Sequence, residues 1–236
     1  MMRALAWLRR RGPQLSSEQQ ARLERLPAPV ALSERPPGRD RCVVIDLETS
    51  GFDLQNDQLL SIGAVAISDG GIDLADQFEC TLQHSDPGLG ASVLIHGLSP
   101  GTLAAGREPV EAQLEFLEWL GNSPLLAFHA GFDRQMLTRA LRQTLGYRLA
   151  NPFLDVAEMA PLLNPEAGIL HGGLDDWVQH FGLQVLQRHH ASADALVTAE
   201  LALIMFSQAR RQGIDSLTGL ERRLAAWRRN QQGLSF

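Results

Sequence analysis

Two carboxylates stand two residues apart at the end of an apolar run, in the segment RCVVIDLETSGFD (41–53). Alternate side chains of a β-strand share a face, so Asp46 and Glu48 would point the same way. Two acids this close repel each other unless one is protonated or a cation lies between them. This segment alone therefore allows two interpretations, a solvated strand end or half of a metal site.

Two further acids lie at the starts of predicted helices. Asp133 lies in the first turn of a predicted helix in FHAGFDRQML, and Asp194 lies near the start of another in RHHASADALVTAEL. Each has an ordinary explanation, because acids near helix N-termini interact favourably with the helix macrodipole. Four acids at one strand end and two helix starts, each in an apolar context, are harder to explain one by one. Together they favour a metal site.

Hydrophobic periodicity predicts the elements that position these acids. Three strand candidates, CVVIDLE, LLSIGAVAI (59–67) and DQFECTL (76–82), are joined by turn residues and predict an antiparallel meander. The pattern then changes to helical spacing at 110–120, and helices alternate with short strands at PLLAF (124–128) and at the start of PFLDVAEMAPLL. This order predicts an α/β domain with a mixed sheet.

The chain divides into three predicted regions. Residues 1–40 form a predicted N-terminal helical extension and linker, since SSEQQARLERL has a capping-box pattern of Ser17 with Gln20 and clustered prolines follow it. Residues 41–208 form the predicted main domain. Residues 209–236 form an arginine-rich helix and tail, in which we favour a solvent-facing helix over a nucleic-acid contact because spaced charges usually face water.

Three motifs in order resemble the DEDD superfamily of DnaQ-like 3′–5′ exonucleases. DLETSG resembles the first motif, D-x-E-T/S-G, and HAGFDRQML is similar to the second. HHASAD matches H-x-A-x-x-D, the third motif of the DEDDh branch, which includes the proofreading subunit of bacterial replicative polymerase, RNase T and oligoribonuclease. The resemblance covers residues 41 to 208. It implies a ribonuclease H-like fold, a mixed five-stranded sheet flanked by helices.

The resemblance also implies roles for individual residues. Asp46, Glu48, Asp133 and Asp194 are the implied metal-site acids, and His189 is the implied general base. His190 remains an alternative base, because simple helix geometry would place it on one face with Asp194. Another branch of the superfamily has a tyrosine four residues before the last acid. This chain does not match that branch, since position 190 is His and the sole tyrosine is Tyr147.

An all-oxygen ligand set predicts hard cations, two Mg²⁺ or Mn²⁺ ions per site. The implied reaction is hydrolysis of the phosphodiester at the 3′ end of DNA or RNA, which releases nucleoside 5′-monophosphates. The predicted substrate contacts lie in three loops: Thr49, Ser50 and Gly51 beside the terminal sugar, His96 and Leu98 in IHGLSP beside the last nucleotide, and His129 where asparagine is common in the family.

Composition limits the partners. A net charge of −6 argues against a protein that coats nucleic acid by bulk electrostatics. It does not argue against an enzyme acting on a single-stranded 3′ end, because bound cations would reverse the local field. No apolar run reaches about 18 residues, so no membrane contact is expected. Two cysteines are too few for a disulfide framework, and the cytoplasm is the predicted location.

Two other function classes remain open. The tail QQGLSF (231–236) resembles peptides by which bacterial replication proteins dock on the sliding clamp, which would suit a polymerase-associated proofreading or accessory subunit. A non-catalytic binding module is the other class. The complete acid set disfavours it, because unneeded carboxylates in an apolar pocket lower stability.

Overall fold

A computed structural model describes residues 14–84, 97–185 and 187–233. Its centre is one five-stranded sheet of order β3-β2-β1-β4-β5. The first three strands are antiparallel neighbours, whereas β4 and β5 run parallel to β1. The strands are β1 (Cys42–Thr49), β2 (Leu59–Ser68), β3 (Gly71–Thr81), β4 (Leu125–Ala127) and β5 (Phe153–Asp155). The predicted mixed sheet and its opening meander are confirmed.

Helices cover both faces of this sheet. One apolar core lies between the sheet and the helices α5, α6, α7 and α8, and a second lies between the sheet and α3 and α4. The helices are α1 (Ser17–Glu24), α2 (Pro100–Ala104), α3 (Pro109–Leu120), α4 (Ala130–Leu145), α5 (Val156–Leu163), α6 (Leu174–Phe181), α7 (Ala191–Arg211) and α8 (Leu217–Gly233), with a short 3₁₀ turn at Pro165–Ala167. No helix in the described ranges is long and apolar enough to cross a membrane.

Strand β1 lies at the centre and determines where its acids point. Residues Cys42 to Ile45 are fully buried, because helices pack on both faces and a strand in that position must be apolar at consecutive positions. Val44 belongs to the core on the α7 side of the sheet. Side-chain alternation then directs Asp46 and Glu48 to the same side, toward α7.

The N-terminal extension is packed on the domain through α1. Its capping box is formed by Ser16 and Gln19, one residue earlier than the predicted pair of Ser17 and Gln20: the Gln19 amide donates to Ser16 Oγ (3.1 Å) and the Ser16 amide donates to Gln19 Oε1 (2.9 Å). Both registers satisfy the same sequence pattern, so the pattern alone could not separate them.

The C-terminal region is also part of the folded body. The predicted boundary at residue 208 falls inside α7, which runs to Arg211, and α8 buries Leu217, Leu220 and Leu224 in the core that it shares with α7. A narrow apolar stripe at helical spacing anchors α8 although most of its surface is charged or polar. Helix α7 therefore continues across residue 208, and α8 packs on the same core.

Candidate active site

The four acids come from three elements that meet at one end of the sheet. Parallel strands β1 and β4 are in register through Val44 and Leu126, so their carboxyl ends lie side by side. Asp46 and Glu48 lie near the C-terminal end of β1. Helix α4 begins shortly after β4 and carries Asp133 in its first turn.

Asp194 lies in the first turn of α7, and this helix packs against β2. Gly63 of β2 pairs with Asp46 in the ladder, and a Cβ at Gly63 would lie only 2.1 Å from the carbonyl carbon of Ala191. The close approach of the first turn of α7 to β2 therefore requires a glycine at position 63. Our sequence analysis missed Gly63, although a glycine inside the strand LLSIGAVAI is a recognised sign of close backbone approach.

These elements enclose a cavity of about 470 Å³. All four predicted acids and His189 line it. Asp133 and Asp194 are each only 6% exposed. The other lining residues are Leu47, Thr49, Gly51, Phe52, Phe128, His129 and Phe132.

Burial and mutual repulsion shift the acids away from ordinary carboxyl behaviour. Burial and the charges of Asp133, Glu48 and Asp194 hold the pKa of Asp46 well above its usual value. Burial, with a further contribution from the charge of Asp194, raises the pKa of Glu48 to about 7. Burial also raises the pKa of Asp133 to about 8, with the charge of Asp155 adding to it. These three groups therefore ionise less readily than ordinary carboxyl groups unless positive charge is supplied.

The two candidate histidines occupy different environments. His189 lines the cavity, adopts a left-handed backbone conformation (φ 60°), and its amide donates to Asp194 Oδ2 (3.1 Å). His190 is extended (φ −131°) and its Nε2 lies 3.4 Å from Glu79 Oε1 on β3. His190 is not among the described residues that line the cavity. The geometry favours His189 over the alternative.

A fifth acid, Asp155, supports the cavity wall and was not identified from the sequence. Its Oδ1 accepts hydrogen bonds from the amides of Ala157 (2.9 Å) and His129 (3.1 Å), so it caps α5 and fixes the residue that precedes α4. His129 is held there in a left-handed conformation (φ 62°). An acid between a strand and a helix is a typical N-cap, and this signal was available in the sequence.

The loop after β1 contributes part of the predicted substrate site. Thr49 and Gly51 line the cavity, and Thr49 Oγ1 donates to the carbonyl of Gly51 (2.8 Å). The Ser50 hydroxyl instead donates to Asp57 Oδ1 (2.8 Å) within the loop. Ser50 is therefore a loop-shaping residue in this structure.

The remaining predicted contacts fall in three places. His129 lines the cavity. Leu98 is not among the described lining residues, and His96 lies outside the described residues.

Aromatic side chains form one wall of the cavity, and the sequence analysis did not single them out. Phe52 is 84% exposed, with its ring centroid 6.0 Å from that of Phe132. Phe128 makes an edge contact with the His129 ring, at a centroid distance of 4.8 Å. An exposed ring beside buried acids is a surface on which a nucleotide base could stack.

A comparison with family models agrees with this site. The RNase T family model, described as an exonuclease, matches residues 43–202, a segment that contains all four acids and His189. This chain belongs to the RNase T exonuclease family. The assignment to the DnaQ-like DEDD superfamily of 3′–5′ exonucleases, and with it the prediction that the chain is an exonuclease hydrolase, is confirmed.

Relatives of this exonuclease include much larger proteins. The PolC-type DNA polymerase III of Thermotoga petrophila is 32% identical over 179 residues, which is 76% of this chain and 13% of the polymerase. E. coli Exonuclease I in complex with a dA16 oligonucleotide superposes with a TM-score of 0.63 at 17% identity, over 73% of this chain and 42% of that one. A zinc-bound form of the E. coli Exonuclease I–ssDNA complex gives a TM-score of 0.62 at 17% identity, over 75% and 42%.

DnaQ-like exonucleases depend on divalent metals, and the acids of this chain fit such an ion chemically. Glu48 Oε1 is buried without a hydrogen-bond partner among the described residues, and the pKa values of Asp46 and Glu48 are raised, as expected for oxygens suited to a hard cation.

The side chains do not adopt a closed ligand arrangement. No three metal-binding side chains in the described ranges come close enough to one point to hold an ion. Arg188 supplies positive charge here, since its Nη1 forms an ion pair with Asp194 and its Nε donates to Asp175 Oδ1 (2.6 Å).

Proposed function

We propose that this chain is a metal-dependent 3′–5′ exonuclease that removes nucleoside 5′-monophosphates from single-stranded nucleic acid. The observation that carries the proposal is the convergence of Asp46, Glu48, Asp133, Asp194 and His189 on one cavity. The buried, mutually repelling carboxylates need positive charge, and the aromatic wall beside them offers a place for the terminal base.

The four acids would hold two Mg²⁺ or Mn²⁺ ions, which are hard cations that prefer carboxylate oxygens. When bound, such a pair supplies electrostatic stabilisation of the attacking and leaving oxygens at phosphorus. The acids themselves are delivered by β1, α4 and α7, and Gly63 allows α7 to approach β1 closely enough for Asp194 to join the set.

His189 would accept the proton of the attacking water. Its side chain reaches the cavity, and the hydrogen bond from its own amide to Asp194 fixes the backbone from which the ring extends. An imidazole is the usual general base at neutral pH when it lies within reach of the reacting water.

The aromatic wall favours a single-stranded substrate. Stacking of a base on Phe52 and Phe132 requires an unpaired base and tolerates any sequence, because every base has a π-face. The fold neighbour solved with dA16 makes single-stranded DNA the first substrate to test.

The test is cleavage of 5′-labelled dT16 with Mn²⁺ by wild-type protein, Asp46→Asn and the control Asp69→Asn. Asp69 is an exposed acid in the turn between β2 and β3. We expect Asp46→Asn to lower the rate by about 10³-fold, as when a group that stabilises transition-state charge is removed, and Asp69→Asn to match wild type. Full activity of Asp46→Asn would contradict the proposal.

A second candidate function is supported by the similarity to PolC-type polymerases. In this alternative the exonuclease acts as a proofreading or accessory subunit, and residues 231–236 dock on the sliding clamp. Residues 231–233 continue α8 and residues 234–236 lie outside the described residues. Titration of clamp against protein truncated after residue 230 tests this alternative, because undiminished binding would exclude the docking role of these residues.

A further inference from the structure

A second cavity, of about 340 Å³, adjoins the active site. His129 lines both cavities and so forms part of the boundary between them. We call the second cavity the α8 groove. Its walls are the end of α8 with Trp227, Arg228 and Gln232, the start of α5 with Glu158, and the segment 170–172.

The wall that α8 provides lies outside the family domain. The exonuclease match ends at residue 202, and α8 begins at Leu217. Buried Leu220 and Leu224 fix the helix on the core, and the Arg228 guanidinium bridges Glu158 on α5 (Nε–Oε2 2.6 Å) and Glu221 (Nη1–Oε1 2.9 Å). The groove is therefore a firmly built surface that this chain adds beside the exonuclease site.

The chemistry of the groove suits a nucleic acid strand. Trp227, His129 and His171 offer aromatic faces, and Leu170, which is 46% exposed, offers an apolar one. Helix α8 carries four arginines and one glutamate, but within the groove the charge of Arg228 is balanced by Glu158 and Glu221, so the attraction for a strand rests on the aromatic faces. Aromatic side chains on which bases stack bind single strands without sequence preference.

We propose that the α8 groove binds the nucleotides immediately 5′ of the phosphodiester that is cleaved. This inference rests on the proposed function, in which the terminal nucleotide occupies the active-site cavity. The rest of the strand must leave that cavity, and the groove lies directly beside it, since His129 borders both. The groove would then make affinity depend on strand length.

The test is binding of fluorescein-labelled dT8, measured by anisotropy in the cleavage-deficient Asp46→Asn background, with thymidine 5′-monophosphate, which has no upstream nucleotide, measured as a competitor. Trp227→Ala should weaken dT8 binding by about 5- to 10-fold, the effect of losing one stacked base, and should leave binding of thymidine 5′-monophosphate unchanged. Trp227→Phe should restore most of the dT8 affinity. The matched control is Arg229→Gln, which removes a charge from an exposed α8 residue that is not among those lining the groove.

A separate measurement distinguishes failure of the groove from failure of the exonuclease. The p-nitrophenyl ester of thymidine 5′-monophosphate carries the terminal nucleotide and the scissile phosphate without any upstream nucleotide. Wild-type protein and Trp227→Ala should hydrolyse it at the same rate with Mn²⁺. Equal dT8 affinity of Trp227→Ala and its parent, or equal losses for thymidine 5′-monophosphate and dT8, would overturn the groove proposal. Hydrolysis of neither the ester nor dT8 by wild-type protein would overturn the proposed function instead.

Discussion

Glu48→Gln should stabilise the metal-free protein while it removes activity. Burial, with the charge of Asp194 adding to it, raises the pKa of the Glu48 carboxyl to about 7, and its Oε1 has no hydrogen-bond partner among the described residues. Glutamine has nearly the same shape and cannot ionise. The substitution thus removes an unfavourable buried charge without removing a hydrogen bond of that oxygen.

The sign of the effect follows from the two pKa values. Below pH 4.5, the ordinary value, the carboxyl is neutral in both folded and unfolded wild-type protein, so the substitution has little effect there. Between pH 4.5 and about 7 the unfolded chain ionises first, so wild-type protein loses stability as the pH rises. Above about pH 7 that loss is complete, and Glu48→Gln, which does not titrate, is the more stable protein.

The magnitude comes from the same shift. A shift from 4.5 to about 7 corresponds to roughly 3 kcal/mol. Partial exposure of the side chain reduces this to about 1–2 kcal/mol by solvent screening. For a chain of this size each kcal/mol moves Tm by about 2–4 °C, so we expect Glu48→Gln to melt about 2–8 °C higher at pH 8.

The assay is thermal unfolding of both proteins in EDTA across pH 4.5 to 8.5. Added Mn²⁺ should raise the Tm of wild-type protein more than that of the variant, because Glu48→Gln has lost a charged ligand. The reasoning is refuted if the variant is no more stable than wild type at pH 8, or if the difference does not change with pH.

Three further predictions concern other parts of the site. Gly63→Ala should displace the start of α7, which lowers kcat at least about 10-fold and the free energy of unfolding by about 1–3 kcal/mol. The control is Gly71→Ala, at a strand position where a Cβ meets nothing within 4 Å, and it should change neither kcat nor stability. His189→Ala should lower kcat by about 10²-fold or more and His190→Ala by only a few-fold, and the reverse order measured on dT16 would reassign the base. Phe52→Ala should raise KM for dT16 about 5-fold through lost stacking with an unchanged Tm, since the ring is 84% exposed; an unchanged KM would remove Phe52 from the substrate site.

The central elements could be predicted because their signals are local. An apolar run such as CVVI must be buried on both faces, and the alternation from Val44 through Asp46 to Glu48 sets the direction of both acids. Asp133 and Asp194 follow from their positions at helix starts. Their convergence, however, depends on strand order, and that came from the ordered family motifs.

Features that depend on contacts between distant segments were not predicted. The need for Gly63 arises from Ala191, which is more than a hundred residues away, and the capping of His129 by Asp155 joins the ends of two different strands. The packing of α8 on the core was not predicted either, because its arginine pairs obscure the three leucines that anchor it. A contact between segments has no signature in either segment alone.

The structure separates the two interpretations that the sequence left open for the acids. A solvated strand end would give an exposed, hydrogen-bonded carboxylate with an ordinary pKa, whereas the pKa of Glu48 is raised to about 7 and one of its oxygens is buried without a partner. An acid placed only to interact with a helix dipole should have a lowered pKa, whereas burial raises that of Asp133 to about 8. These acids destabilise the metal-free fold, and cation binding gives a reason for their presence.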